Sequence, residues 1–121
     1  MTRALLASLL GAIVLIGTVA PATGAPVRPR FYKSVLVRDN FYSPARLNVR
    51  AYTKVTWRWP NDSGDTHDVK LVSAPRGVVR FQSEAAAVGY SYPKLLVKTG
   101  TYRLICTFHE TEMRQVIVVR R

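Results

Sequence analysis

The chain has 121 residues, a formal net charge of +11 from 18 basic and 7 acidic side chains, and one cysteine. A single cysteine excludes an internal disulfide, and the length excludes more than one small domain once an apolar N-terminal stretch is set aside. The charge favours acidic partners, anionic membrane surfaces or cell-wall polymers through salt-sensitive steering, whereas nucleic acid is not expected because no recognition motif is present.

Met1-Thr2-Arg3 is a short positive start, residues 4–20 are an apolar run, and Pro21-Ala22-Thr23-Gly24-Ala25 is a small-residue flank. This pattern predicts a secretory signal peptide over residues 1–25. The competing expectation is an uncleaved membrane anchor, since the run falls only a little short of the ~20 apolar residues that span a bilayer. Cleavage leaves about 96 residues with a charge of about +10, enough for a single core, in a periplasmic, cell-surface or extracellular setting. An odd thiol in such an oxidising compartment needs a use. Ligation of a metal would supply one and protect the sulfur; an intermolecular disulfide is the other.

Residues 26–33, with two prolines and three cations, read as an extended leader, and the domain is expected over residues 34–121. Short apolar or alternating stretches follow at 34–37, 45–49, 54–59, 69–72, 78–81, 95–97, 101–107 and 114–119, separated by turn residues. Only residues 83–88 offer a turn or two of helix. Strands at this spacing predict an all-β sandwich or barrel. The two-residue period puts Val55, Trp57 and Trp59 on one core-facing side, and Tyr102, Leu104 and Cys106 on another, with the sulfur at a strand end.

Residues 106–113, Cys-Thr-Phe-His-Glu-Thr-Glu-Met, bring a thiolate, an imidazole and a thioether together. With a second imidazole this is the mixture that selects copper in electron-transfer sites. His67, the only other histidine, sits where the polar loop 60–68 enters an apolar strand. Taken singly, each residue has an ordinary structural role: a buried cysteine, a core methionine, a hydrogen-bonded histidine. The spacing C-x-x-H-x-x-x-M at a strand end is what joins them. Zinc is the competing metal, with Glu110 or Glu112 in place of Met113, although a thioether suits copper better.

The Val55-Thr56-Trp57 strand, the Thr66-His67-Asp68-Val69 junction, Gly100-Thr101-Tyr102 and Cys106-x-x-His109-x-x-x-Met113 together resemble the cupredoxins, the small blue copper proteins such as plastocyanin, amicyanin and azurin. The resemblance covers residues 34–119. It implies a Greek-key β-sandwich and a one-electron carrier with one type 1 copper. It also implies His67, Cys106 and His109 as equatorial ligands, Met113 as the long axial ligand, and His109, beside Phe108, as the electron port. Two departures stand out. Asp68 replaces the usual asparagine after the first histidine, and the ligand loop carries Glu110 and Glu112 where members of the family often have a proline beside the second histidine.

The expectation is therefore a monomeric, exported electron carrier with a redox partner protein, acidic if overall charge decides. The alternatives are a copper storage or delivery protein with the same ligands and a structural sandwich in which they are incidental. An enzyme is not expected, since no paired acid and base, phosphate loop or second metal set is visible and four strong ligands would leave no open position.

Overall fold

The alternation in residues 54–59 does what the two-residue period requires: Val55, Trp57 and Trp59 are all buried while the residues between them face outward. The computed structural model describes residues 11–21 and 23–121. Eight strands run through it: β1 (Phe31–Arg38), β2 (Phe41–Ser43), β3 (Arg46–Arg50), β4 (Thr53–Arg58), β5 (Lys70–Ser73), β6 (Ser91–Leu96), β7 (Gly100–Ile105) and β8 (Arg114–Arg120). They form two four-stranded sheets in the orders β2-β1-β4-β6 and β3-β8-β7-β5. The fold is an all-β Greek-key sandwich, with no helix among the described residues.

Both sheets are mixed. β1 pairs parallel with β4 and β3 parallel with β8, the remaining pairs being antiparallel. A parallel pair cannot be closed by a tight turn, and the chain between β1 and β4 accordingly crosses to the second sheet as β3 before returning. Val35, Val37, Tyr42, Val55, Trp57 and Leu96 of the first sheet meet Val49, Leu71, Tyr102, Leu104, Ile117 and Val119 of the second. One polar chain crosses this core: Trp57 Nε1–H donates to Gln115 Oε1 at 2.8 Å, and Gln115 Nε2–H donates to Pro44 O at 2.7 Å. No buried side-chain nitrogen or oxygen among the described residues lacks a partner.

Several expectations shift. Strand β1 begins at Phe31, so residues 31–33 of the expected leader pair with β4. β6 starts at Ser91, four residues ahead of the expected 95–97. Residues 78–81 are not a strand. Pro75 and Gly77, the latter at φ +82°, turn the chain away, Val79 is exposed, and only Phe81 to Ser83 touch the edge of β5 through Leu71 N–H to Phe81 O and Ser83 N–H to Val69 O. Residues 83–88 are extended where a helical turn was the alternative, because Ala86 exchanges both backbone hydrogen bonds with His67.

Of the expected signal peptide, residues 1–10 and 22 lie outside the described residues; 11–21 and 23–25 carry no regular structure and are exposed. No helix among the described residues is long and apolar enough to cross a membrane.

Candidate metal centre

Cys106 follows β7 directly, and the alternation that buries Tyr102 and Leu104 carries its side chain inward; it is fully buried. Residues 107–112 then turn back on themselves. The loop is closed by its own backbone: Cys106 N–H donates to Met113 O at 3.0 Å, Met113 N–H to His109 O at 2.9 Å and His109 N–H to Cys106 O at 3.2 Å. These bonds hold residues 106, 109 and 113 against one another before any metal is considered. Met113 is fully buried and His109 half-buried, while Phe108, Glu110 and Glu112 are exposed.

His67 arrives from the other side of the barrel end. Its backbone is fixed by the bridge to Ala86 and by Trp59 Nε1–H, which donates to His67 O at 3.2 Å. Its ring is fully buried, with Nδ1 3.8 Å from Cys106 Sγ. His109 Nδ1 lies at the same 3.8 Å from that sulfur. The donor atoms of His67, Cys106 and His109 all fall within 4.8 Å of one another. First-row metal bonds of about 2.0–2.1 Å to nitrogen and 2.3 Å to sulfur, opened to a trigonal angle, give a nitrogen–sulfur separation of about 3.8 Å. The two observed separations therefore fit a metal ion seated between the three donors.

Asp39, which sequence reasoning missed, completes the arrangement. The β1–β2 turn, made by Asp39 and by Asn40 at φ +67°, places Asp39 Oδ1 3.0 Å from His67 Nε2. A carboxylate in this place accepts, so Nε2 carries the proton and Nδ1 presents its lone pair towards the sulfur. A carboxylate behind a ligating histidine is the usual way to fix tautomer and ring orientation. Asp39 also accepts from Ser63 Oγ–H at 2.6 Å and from the N–H groups of Gly64 and Asp65 at 3.1 and 3.2 Å. Led by the Ser63 bond, these donors hold its carboxyl well below the usual carboxylate range. Nothing in the sequence marks Asp39, which is 28 residues from His67.

Asp68 is buried and joins the two ligand segments. Oδ1 accepts Thr107 N–H at 2.7 Å; Oδ2 accepts from Thr107 Oγ1 at 2.7 Å and from Gln82 Nε2 at 2.9 Å. The residue after the first histidine is thus tied to the residue after the cysteine. Burial pushes the Cys106 thiol up, opposed by the backbone N–H groups of Asp68, Phe108 and His109 that face the sulfur. Glu110 and Glu112 stand outside the donor cluster.

Comparison with solved structures now bears on this geometry. A reduced amicyanin variant is 26% identical with a TM-score of 0.64, the match covering 74% of this chain and 82% of that one. The chain has the cupredoxin fold, and its donor cluster fits a blue copper site. A purple cupredoxin from Nitrosopumilus maritimus is 23% identical with a TM-score of 0.60 over 72% of this chain and 98% of its own. A Cu-containing nitrite reductase from Thermus scotoductus SA-01 is 23% identical with a TM-score of 0.62, the match covering 83% of this chain but 25% of the larger protein. No family model matches the chain, and no curated protein sequence does.

The charge of this chain is unevenly placed. Asp39, Asp62, Asp65 and Asp68 lie in or against the loop that leads to His67, Glu84 lies in the segment latched to it, and Glu110 and Glu112 lie in the ligand loop. All seven acidic residues of a strongly basic chain are therefore gathered at the metal end.

Proposed function

We propose that the protein is an exported type 1 copper protein that carries single electrons, with His67, Cys106 and His109 as the equatorial ligands and Met113 as the axial one. The observation that carries this reading is the pair of imidazole nitrogens 3.8 Å from one buried sulfur, with the far nitrogen of His67 held by Asp39. When bound, copper supplies a one-electron couple whose potential the thioether and the hydrogen bonds to sulfur tune. Cys106 contributes the thiolate. Asp39 and Asp68 hold the two ligand segments still, so that the donors keep nearly one geometry in both oxidation states. His109, half-buried beside the exposed Phe108, is the port through which an electron enters and leaves. Four donors leave no place for a substrate, which supports a carrier over an enzyme.

The partner is a redox protein that docks over His109. Overall charge favours an acidic partner, but Glu110 and Glu112 flank the port, so the face complementary to it is basic or uncharged. Voltammetry of the copper-loaded protein tests the carrier reading. A fast, reversible one-electron couple supports it. A sluggish couple, together with rapid release of Cu(I) to a soluble chelator, would point instead to storage or delivery.

A further inference from the structure

The end of the sandwich opposite the metal carries cations without acidic side chains, whereas the metal end mixes both signs, as in the Arg38–Asp62 ion pair. β8 runs from Arg114, beside the ligand loop, to Arg120, about 20 Å away at the strand rise of roughly 3.3 Å per residue. At that far end β1 and β4 begin and β3 ends. Arg30, Lys33, Arg50, Arg120 and Arg121 line two adjoining clefts that share Phe31, Arg50 and Arg121. All five cations are exposed, and none of them is in an ion pair among the described residues. The chain has no acidic side chain at this end.

Two features separate this pole from a merely basic surface. The first is aromatic: the Arg30 guanidinium sits 5.0 Å from the centre of the Tyr52 ring and that of Arg50 5.8 Å from Phe31, while Phe31 is 40% and Tyr32 68% exposed. Cations mixed with half-exposed aromatic rings suit the headgroup layer of a bilayer, where a ring buries its apolar body and guanidinium groups fork onto phosphate oxygens. The second is connectivity. The fold begins at this pole, where Arg30 N–H donates to Tyr52 O at 2.8 Å, so the apolar run of residues 4–20 joins the domain from the same side.

We infer that this basic pole seats the domain on an anionic lipid bilayer, with the metal end turned away from it. Five cations without an ion pair meet the negative surface potential of such a membrane, while all seven acidic residues lie at the other end among cations such as Arg38, so the difference between the two ends favours one orientation. The inference holds whichever metal the site takes. It holds after cleavage of residues 1–25, and an uncleaved segment would strengthen it by tethering the same pole.

The test uses residues 26–121, which contain every strand, core side chain and hydrogen bond found among the described residues. Vesicles of equal parts phosphatidylglycerol and phosphatidylcholine are compared with phosphatidylcholine alone in a sedimentation assay. Binding is expected to the anionic vesicles only, and to fall as ionic strength rises. The triple variant Arg50→Glu/Arg120→Glu/Arg121→Glu should weaken it roughly a hundredfold or more. Lys70→Glu/Arg80→Glu/Arg103→Glu, the same charge change elsewhere on the surface, should keep affinity within about threefold. Thermal melts check that each variant folds, and Arg120→Gln/Arg121→Gln at the end of β8 serves if the triple reversal does not. Equal losses in the two triple variants, binding to neutral vesicles, or binding to soluble polyphosphate as tight as to vesicles would each overturn the inference.

Discussion

Asp39 Oδ1 stands 3.0 Å from Nε2 of the fully buried His67, so a carboxylate on the β1–β2 turn sets which nitrogen of that imidazole faces Cys106. The contact ties a surface turn of one sheet to a candidate ligand entering the other. Because Asp39 also gathers Ser63, Gly64 and Asp65, the loop before His67 is braced from the same point.

Removing that brace should be felt at the metal. Asp39→Ala is expected to lower copper affinity roughly 10–100-fold, the usual cost of losing a carboxylate behind a ligating histidine, with the Cys106 charge-transfer band retained. Competition against a chelator of known affinity measures it, with unchanged affinity as the contrary result.

Asp68 should matter to the apoprotein as well. Asp68→Ala leaves Thr107 N–H without its acceptor, and Gln82 loses its partner too, so a loss of about 1–3 kcal/mol is expected for the buried group left unpaired. Asp68→Asn can keep the Thr107 N–H bond through its Oδ1 and should cost less than about half as much. Denaturant unfolding of the metal-free variants distinguishes the two, and equal losses would show that hydrogen bonding at Oδ1 is not what holds the ligand segments together.

Gly100 gives a prediction away from the site. It opens β7 at φ +134°, and a Cβ there would approach Pro75 Cγ to 2.6 Å. Gly100→Ala is expected to cost about 1–3 kcal/mol of stability for the disfavoured backbone alone, while the visible spectrum of the copper form stays the same. A melting temperature equal to that of the parent would contradict it.

The pH dependence follows from the buried thiol. Burial raises the Cys106 thiol above its ordinary value of 9.0, and burial likewise raises Tyr42 and Tyr102. A raised value in the folded state means stability that is full below the unfolded value and lost as pH climbs through the folded one. The apoprotein should therefore lose stability on the alkaline side of pH 9.0. In the copper form the sulfur is already a thiolate, so binding releases a proton and the stabilisation by copper should grow as pH rises towards that value. Melting curves of both forms across neutral to alkaline pH check this; a copper-induced shift that shrinks with rising pH would contradict it.

The parts of this structure legible in the sequence are those governed by short periods. Val55, Trp57 and Trp59, then Tyr102, Leu104 and Cys106, declared their buried faces because a strand repeats every two residues. His67 was legible as the only other imidazole, at a loop-to-strand junction. Asp39 was not, because it reaches His67 across two sheets and carries no motif of its own. Residues 78–81 looked like a strand by composition, yet pairing needs a neighbouring edge, and β5 offers its edge only to Phe81 through Ser83. The three-residue β2 is too short to show a period at all. The gathering of acidic residues at one pole was equally hidden, since they are scattered from position 39 to 112 and only the fold collects them.

The visible absorption spectrum of residues 26–121 with one equivalent of Cu(II), recorded beside Cys106→Ala, tests the central claim most directly. An intense band near ~600 nm is expected from thiolate-to-copper charge transfer in a His₂Cys site, absent from the variant. A colourless or weakly bound copper, or a spectrum that survives the substitution, would contradict it.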